Sequence, residues 1–89
     1  MAQELIFTET FKRNYALLPA DLQKRFDQKL NLFLENPRHP SLHVHRYHAR
    51  DDVWEAYINR KYRFTFSVTP VSITFRNIGP HGIIDRGQV

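Results

Sequence analysis

The sequence contains no cysteine. This absence excludes disulfide bridges and thiolate metal sites, and with them the disulfide-stabilised class of small secreted domains. No apolar run approaches the ~20 residues that a membrane-spanning helix requires. The N-terminus lacks a basic segment followed by an apolar one, so we expect no signal peptide. Without repeats, linkers or low-complexity segments, the chain is expected to form one domain over residues 1–89 and to reside in the cytoplasm.

The chain does carry a net charge of +4 with histidines neutral, and 13% of its residues are aromatic. A basic domain is a candidate for binding an anionic partner. Nucleic acid is the first interpretation, because clustered Arg and Lys release counterions from phosphates. An acidic protein or a membrane surface would fit the charge equally well. Aromatic side chains bury large areas, so a chain of this length can still form an adequate core.

Apolar residues at helical spacing predict two amphipathic helices after a short first strand at residues 4–7. Phe11, Tyr15 and Leu18 recur at i, i+4 and i+7 on one helical face. Pro19 interrupts this series and suits the first turn of a second helix. The apolar face of that second helix consists of Leu22, Phe26, Leu30, Phe33 and Leu34.

Further along, apolar and polar residues alternate, which is typical of half-buried strands. Residues 54–59, 62–68 and 72–76 show this alternation, and turns are expected at 59–61 and 69–71. The prediction is an α+β fold in the order β-α-α-β-β-β, with a mostly antiparallel sheet of about four strands. The helical hairpin should cover one face of the sheet. The other face is expected to be polar and open, and to present Glu55, Tyr57, Arg63, Thr65 and Arg76.

Five histidines offer side chains suited to proton transfer near neutral pH. His43 and His45 lie two residues apart, so they would share one face of a strand. Three interpretations remain open for this pair. It could bind a metal with a third ligand such as Asp51, form a phosphate-facing basic strand with Arg46 and Arg50, or be solvated on an edge strand.

Arg63 and His81 are the other candidates for chemistry. Arg63 is the only cation among the polar-facing residues of its strand, and a guanidinium on a small polar floor can hold a phosphate bidentately. His81 follows the last strand, in a loop position where catalytic groups are common. An ordinary surface arginine and a solvated turn histidine would show the same patterns.

Several segments in a fixed order carry a resemblance to a known family. They are Leu34-Glu35-Asn36-Pro37, His39-Pro40-Ser41-Leu42, Asp52-Val53-Trp54-Glu55-Ala56, Lys61-Tyr62-Arg63-Phe64 and Arg76-Asn77-Ile78-Gly79. With them the chain resembles the RelE/ParE superfamily of toxins from type II toxin–antitoxin systems, especially the RelE-like and YafQ-like mRNA interferases. The resemblance implies a RelE-like fold and cleavage of mRNA on the ribosome by its own 2′-hydroxyl, without a metal or other cofactor.

The resemblance also implies partners and a site. The expected partners are mRNA, the ribosome and a cognate antitoxin whose acidic segment wraps the toxin, and no membrane is involved. Arg63 matches the family's transition-state cation, His81 its general acid or base, and His45 a basic catalytic position. The side chains expected to contact the substrate are His43, Arg46, Glu55, Tyr57, Lys61 and Arg76.

The sequence departs from the resembling proteins at three points. Gly82 follows His81 where many relatives carry Asp, and Lys61 stands where an acid is frequent. A functional terminal Tyr or Phe is replaced by the segment 83–85. Two alternatives to the nuclease therefore remain: a ParE-like inhibitor of DNA gyrase, and a degenerate homologue that binds only its antitoxin or nucleic acid.

Overall fold

The computed structural model describes residues 4–89, which form a five-stranded sheet between a helical hairpin and a short C-terminal helix. The elements are β1 (Glu4–Phe7), α1 (Glu9–Ala16), α2 (Ala20–Glu35), a 3-10 turn (Pro40–Leu42), β2 (His45–Arg46), β3 (Trp54–Tyr57), β4 (Tyr62–Val68), β5 (Ser72–Pro80) and α3 (His81–Asp85). The strands lie in the order β1-β5-β4-β3-β2, with β1 parallel to β5 and the other pairs antiparallel. In this part of the chain, no helix is both long and apolar enough to cross a membrane.

The predicted α+β class, the two helices and the alternating strands are confirmed. The sheet has five strands rather than about four, because the two residues of β2 pair with β3 as a short edge strand. The helix α3 was not predicted, since its five residues are too few to show a helical period.

Six of the thirteen buried residues in the core between the sheet and the helical hairpin are phenylalanines. Phe11 and Phe26 come from the two helices, and Phe64 and Phe75 from the central strands. The Phe26 ring meets Phe64 edge-on at 5.2 Å, an arrangement that adds to the area it buries. Thr8 begins α1 by accepting from the Phe11 amide at 3.0 Å, a cap that the sequence favours at this position.

An irregularity in β5 decides which side chains reach the opposite face of the sheet. Thr65 pairs with Asn77 and Phe66 with Phe75, so Arg76 is an extra residue in β5. This β-bulge keeps Phe75 and Ile78 in the main core although they lie three residues apart.

The face opposite the hairpin is not open, so that expectation is wrong. A second small core of Tyr47, Val53 and Ile84 covers it, with α3 packed on β4 and β5. The Tyr47 hydroxyl donates to the Ile84 carbonyl at 2.7 Å. Three side chains predicted to be exposed are consequently buried: Glu55 and Arg63 are each 5% exposed, and Thr65 is fully buried.

Replacing Tyr47 with Phe tests how α3 is attached. Burial, reinforced by the negative charges of Asp85 and Glu55, raises the pKa of Tyr47 above its ordinary value of 10.0. The protonated phenol therefore contributes its full stabilisation of the folded state below pH 10.0. This contribution is lost as pH rises from there through the raised pKa of the folded state. We expect Tyr47→Phe to lower the free energy of unfolding by about 1 kcal/mol at neutral pH, because the hydrogen bond to Ile84 is lost. When the pH is raised, the variant should lose less stability than the unaltered protein, because it has no phenol to ionise. Urea unfolding at neutral and alkaline pH measures both, and identical alkaline losses in the two proteins would contradict the assignment.

Candidate active site

The register of the sheet brings the candidate residues together on the α3 face. His45 lies opposite Glu55 and Glu55 opposite Thr65, while Tyr57 lies opposite Arg63 in the neighbouring row. Residues opposite one another on adjacent strands project to the same face. We call His43, His45, Glu55, Tyr57 and Arg63 the polar cluster, because each contacts at least one of the others.

His45 is oriented through both ring nitrogens. Its Nδ1 lies 2.7 Å from the His43 carbonyl oxygen, and its Nε2 lies 3.1 Å from Glu55 Oε1. A carbonyl and a carboxylate only accept hydrogen bonds, so both contacts form together when the ring carries two protons. The geometry therefore suits a fixed cation better than a general base.

Arg63 is held within the protein and does not present an open guanidinium. Its Nη1 donates to the Asn59 and Arg60 carbonyls at 2.7 and 2.6 Å. Its Nε lies 3.8 Å from Glu55 Oε2 and has no hydrogen-bond partner in the described residues. The expectation of a guanidinium exposed on a small polar floor is wrong, because α3 and the second core cover this strand.

Tyr57 lies between two cluster members. The Arg63 Cζ is 3.5 Å from the centre of the Tyr57 ring, and the His43 ring centre is 4.5 Å away on the side toward β2. With both neighbours in place, the exposed His43 ring is more accessible to a ligand than the partly buried Tyr57 ring. His43 has φ of 49°, a left-handed backbone that costs a non-glycine residue roughly 1–3 kcal/mol and is common at functional sites.

His81 lies at the start of α3 on the same side of the sheet as the polar cluster. Its amide donates to the Lys61 carbonyl at 2.6 Å. Its half-exposed ring points Nε2 at Asp85 Oδ2, 2.8 Å away. Burial raises the pKa of Tyr47, and the negative charges of Asp85 and Glu55 raise it further; the Tyr47 hydroxyl itself donates to the Ile84 carbonyl of α3.

Three of the residues expected at the substrate do not join the cluster. Arg46 points to the opposite face, because neighbouring strand residues alternate, and its Cζ lies 4.8 Å over Trp54. Arg76 donates to the Val89 carbonyl at 3.0 Å and so attaches the C-terminal segment. Lys61 is exposed at the β3–β4 turn and touches His81 through its backbone only.

The metal interpretation of the His43 and His45 pair has no support in the geometry. Across residues 4–89, no group of three or more His, Asp or Glu side chains is arranged to hold a metal ion. Both His45 nitrogens already contact acceptors. The cluster is organised by hydrogen bonds and charge instead.

Sequence analysis missed Asp85 as a partner of His81. The spacing of four residues would have signalled the pair, but only on a helix, where i and i+4 side chains meet. The short segment after β5 was interpreted as a loop. Tyr47 was likewise missed, although it shares the strand-face parity of His45.

No protein-family model matches the sequence, and no curated protein does. Solved structures do match. The Escherichia coli DinJ–YafQ toxin–antitoxin complex has a chain with a TM-score of 0.78 and 11% identity, covering 94% of this chain and 98% of that one. The archaeal RelE–RelB complex of Pyrococcus horikoshii OT3 has a chain with a TM-score of 0.72 and 18% identity, and the match covers 92% of this chain and 98% of that one. The YoeB/ParE toxin of Agrobacterium tumefaciens matches with a TM-score of 0.74 and 13% identity, covering 89% of this chain and 99% of that one. These likenesses confirm the RelE-like fold that the sequence predicted.

The buried pair of Glu55 and Arg63 is tested by a double-mutant cycle. Arg63→Met leaves the buried Glu55 carboxylate with only the half-exposed His45 ring beside it. We expect the free energy of unfolding to fall by about 3–5 kcal/mol. Glu55→Gln combined with Arg63→Met should cost less than the sum of the two single changes. Urea denaturation measures all four proteins.

The exposed pair of Arg50 and Asp52 provides the matched control. Its nitrogen–oxygen distance is 2.8 Å, but both side chains are about half exposed. Arg50→Met should therefore cost no more than about 1 kcal/mol. If Arg63→Met costs no more than this control, the buried pair is not a major stabilising contact.

Proposed function

We propose that this protein is the toxin of a type II toxin–antitoxin pair, and that it cleaves mRNA in the cytoplasm as a metal-independent endoribonuclease acting on the ribosome. The observation that carries the proposal is an exposed imidazole, His81, at the start of α3, on the face of the sheet where His45 is oriented through both ring nitrogens. The RelE-like fold supports the proposal but does not by itself define an activity.

The chemistry requires charge and proton transfer, and the α3 face offers groups for both. In the proposed step the 2′-oxygen bonds to phosphorus and the bond to the 5′-oxygen breaks, giving a cyclic phosphate and a 5′-hydroxyl. One proton leaves the 2′-hydroxyl and another reaches the 5′-oxygen. His81 makes one of these transfers, and solvent serves the other. His45 is held through both ring nitrogens, and when its ring carries two protons it contributes positive charge to the phosphorane oxygens.

Other members of the cluster have supporting roles in this proposal. Arg63 stabilises the Glu55 carboxylate and the turn at residues 59–60, so it acts by positioning His45 rather than by binding phosphate itself. Lys61 is exposed beside the start of α3 and can contact the RNA backbone. His43 offers a ring face for stacking on a base.

Inducing this chain alone should arrest growth and cut mRNA on translating ribosomes. His81→Ala should lower cleavage by about tenfold or more, since it removes a proton-transfer group. Mapping of mRNA 5′ ends measures cleavage. Lys24→Ala is the control, because this residue is exposed on α2, on the other side of the sheet.

Two results would contradict the nuclease proposal. Undiminished cleavage by His81→Ala would remove the assigned group. Intact mRNA together with blocked supercoiling would instead indicate the gyrase inhibitor that remains the alternative for this fold.

The proposal includes an antitoxin with an acidic, amphipathic segment. Relatives in fold have been crystallised as the DinJ–YafQ toxin–antitoxin complex and the RelE–RelB complex. In this chain an apolar groove of about 780 Å³ lies between the end of α2 and the sheet, and Phe33, Trp54 and Phe66 line it. Arg38 lies at the groove, and Arg46 covers Trp54. An apolar floor with a cationic rim fits a helix that has apolar and acidic faces.

Reversing the charge of the groove tests this partner. Arg38→Glu with Arg46→Glu should weaken binding of the protein encoded by the adjacent gene by more than about tenfold at low salt, and less at high salt. Calorimetric titration measures the affinity. Lys24→Glu with Arg25→Glu makes the same charge change on the outer face of α2 and should have a much smaller effect. Equal losses in the two double variants would contradict docking at the groove.

A further inference from the structure

We infer that Asp85 is a positioning residue for His81, and that Nδ1 of His81 is the atom that exchanges a proton with the substrate. The chemical meaning of this pair rests on the nuclease proposed above. The contact itself is a property of α3, where His81 Nε2 and Asp85 Oδ2 lie 2.8 Å apart.

The backbone of α3 is held in place independently of this pair. Ile84 is fully buried in the second core, and its carbonyl accepts from the Tyr47 hydroxyl at 2.7 Å. The Arg86 amide ends the helix by donating to the Gly82 carbonyl at 3.2 Å. An ion pair as exposed as His81 and Asp85 contributes only about 0–1 kcal/mol to stability. The His81–Asp85 pair therefore contributes little to the stability of α3.

The orientation of the ring follows from the chemistry of the partner. A carboxylate only accepts, so a neutral His81 places its single proton on Nε2 and leaves a lone pair on Nδ1. When the ring takes up a second proton, the negative charge of Asp85 stabilises the imidazolium. Whether His81 takes the proton of the 2′-hydroxyl or gives one to the 5′-oxygen, Nδ1 is the atom that gains or loses it. Nε2 remains hydrogen-bonded to Asp85 throughout.

The position of Tyr47 connects this pair to the polar cluster. Asp85 and Glu55 both act on the buried phenol of Tyr47, and each carboxylate also binds one histidine. The α3 face thus carries two carboxylate–imidazole pairs, and both carboxylates raise the pKa of the same tyrosine. In one pair both ring nitrogens face acceptors, whereas in the other Nδ1 of His81 has no protein partner among residues 4–89.

Asp85→Ala tests the inference with a readout that does not depend on activity. Ala keeps helix propensity, so α3 should remain folded. Heteronuclear NMR of the His81 ring should show a protected Nε2–H and mainly the Nε2–H tautomer in the unaltered chain. In the variant the protection should be lost and the Nδ1–H share should rise. RNA cleavage should fall by about tenfold or more, and Asp85→Glu should restore part of both signals.

Glu9→Gln is the matched control, because Glu9 forms a similar exposed helical pair with Lys12 at 3.6 Å, far along the chain from α3. It should change neither the His81 ring signals nor cleavage. Unaltered ring signals in Asp85→Ala would overturn the positioning role, whatever the RNA assay gives. A shifted tautomer in a chain that never cleaves RNA would support the contact between the side chains and overturn the nuclease.

Discussion

The α3 face depends on the carboxylate of Glu55, which is almost fully buried on β3, between β4 and the short edge strand β2. A charge removed from water in this way is tolerated only when cations and hydrogen bonds replace the lost hydration. His45 supplies one contact at 3.1 Å and Arg63 another at 3.8 Å. Arg63 in turn holds the β3–β4 turn and packs on Tyr57. The orientation of every member of the polar cluster is therefore linked to one buried charge.

Much of the fold could be predicted because it follows from periodicity. Helical spacing identified the faces that carry Phe11 and Phe26, and alternation identified β3, β4 and the first part of β5. Alternation separates the two faces of a sheet, but it does not reveal whether a later element covers the polar one. Ile84 covers it from a helix of only five residues. Val53 and Tyr47 are large apolar residues whose side chains project to the same face of the sheet as Glu55. Their presence in the sequence indicates that this face is covered.

The site was harder to predict than the fold, for a related reason. His45, Arg63 and His81 were named from the sequence. The register brings His45 and Arg63 to one side of the sheet, and His81 begins the helix α3 that packs there. Their roles depend on backbone carbonyls and on a helical turn, which residue types do not reveal. The carbonyls of the β3–β4 turn occupy Arg63 Nη1. Gly82 occupies the position directly after His81 where the resemblance led us to expect an aspartate. The helical turn of α3 instead brings the Asp85 carboxylate to the His81 ring.

The two histidine pairs of this face differ in exposure, and that difference has a chemical consequence. Glu55 is buried and contacts one ring nitrogen of His45, so in the proposed function that ring is already oriented before a substrate binds. The Asp85 side chain is 44% exposed and that of His81 is 51% exposed, so the His81 ring remains accessible from solvent. In the proposed mechanism, the pair with the buried carboxylate serves electrostatic stabilisation and the exposed pair serves proton transfer. The proposed metal-independent nuclease needs both, and a sheet with one carboxylate buried and another at its rim can supply them from neighbouring elements.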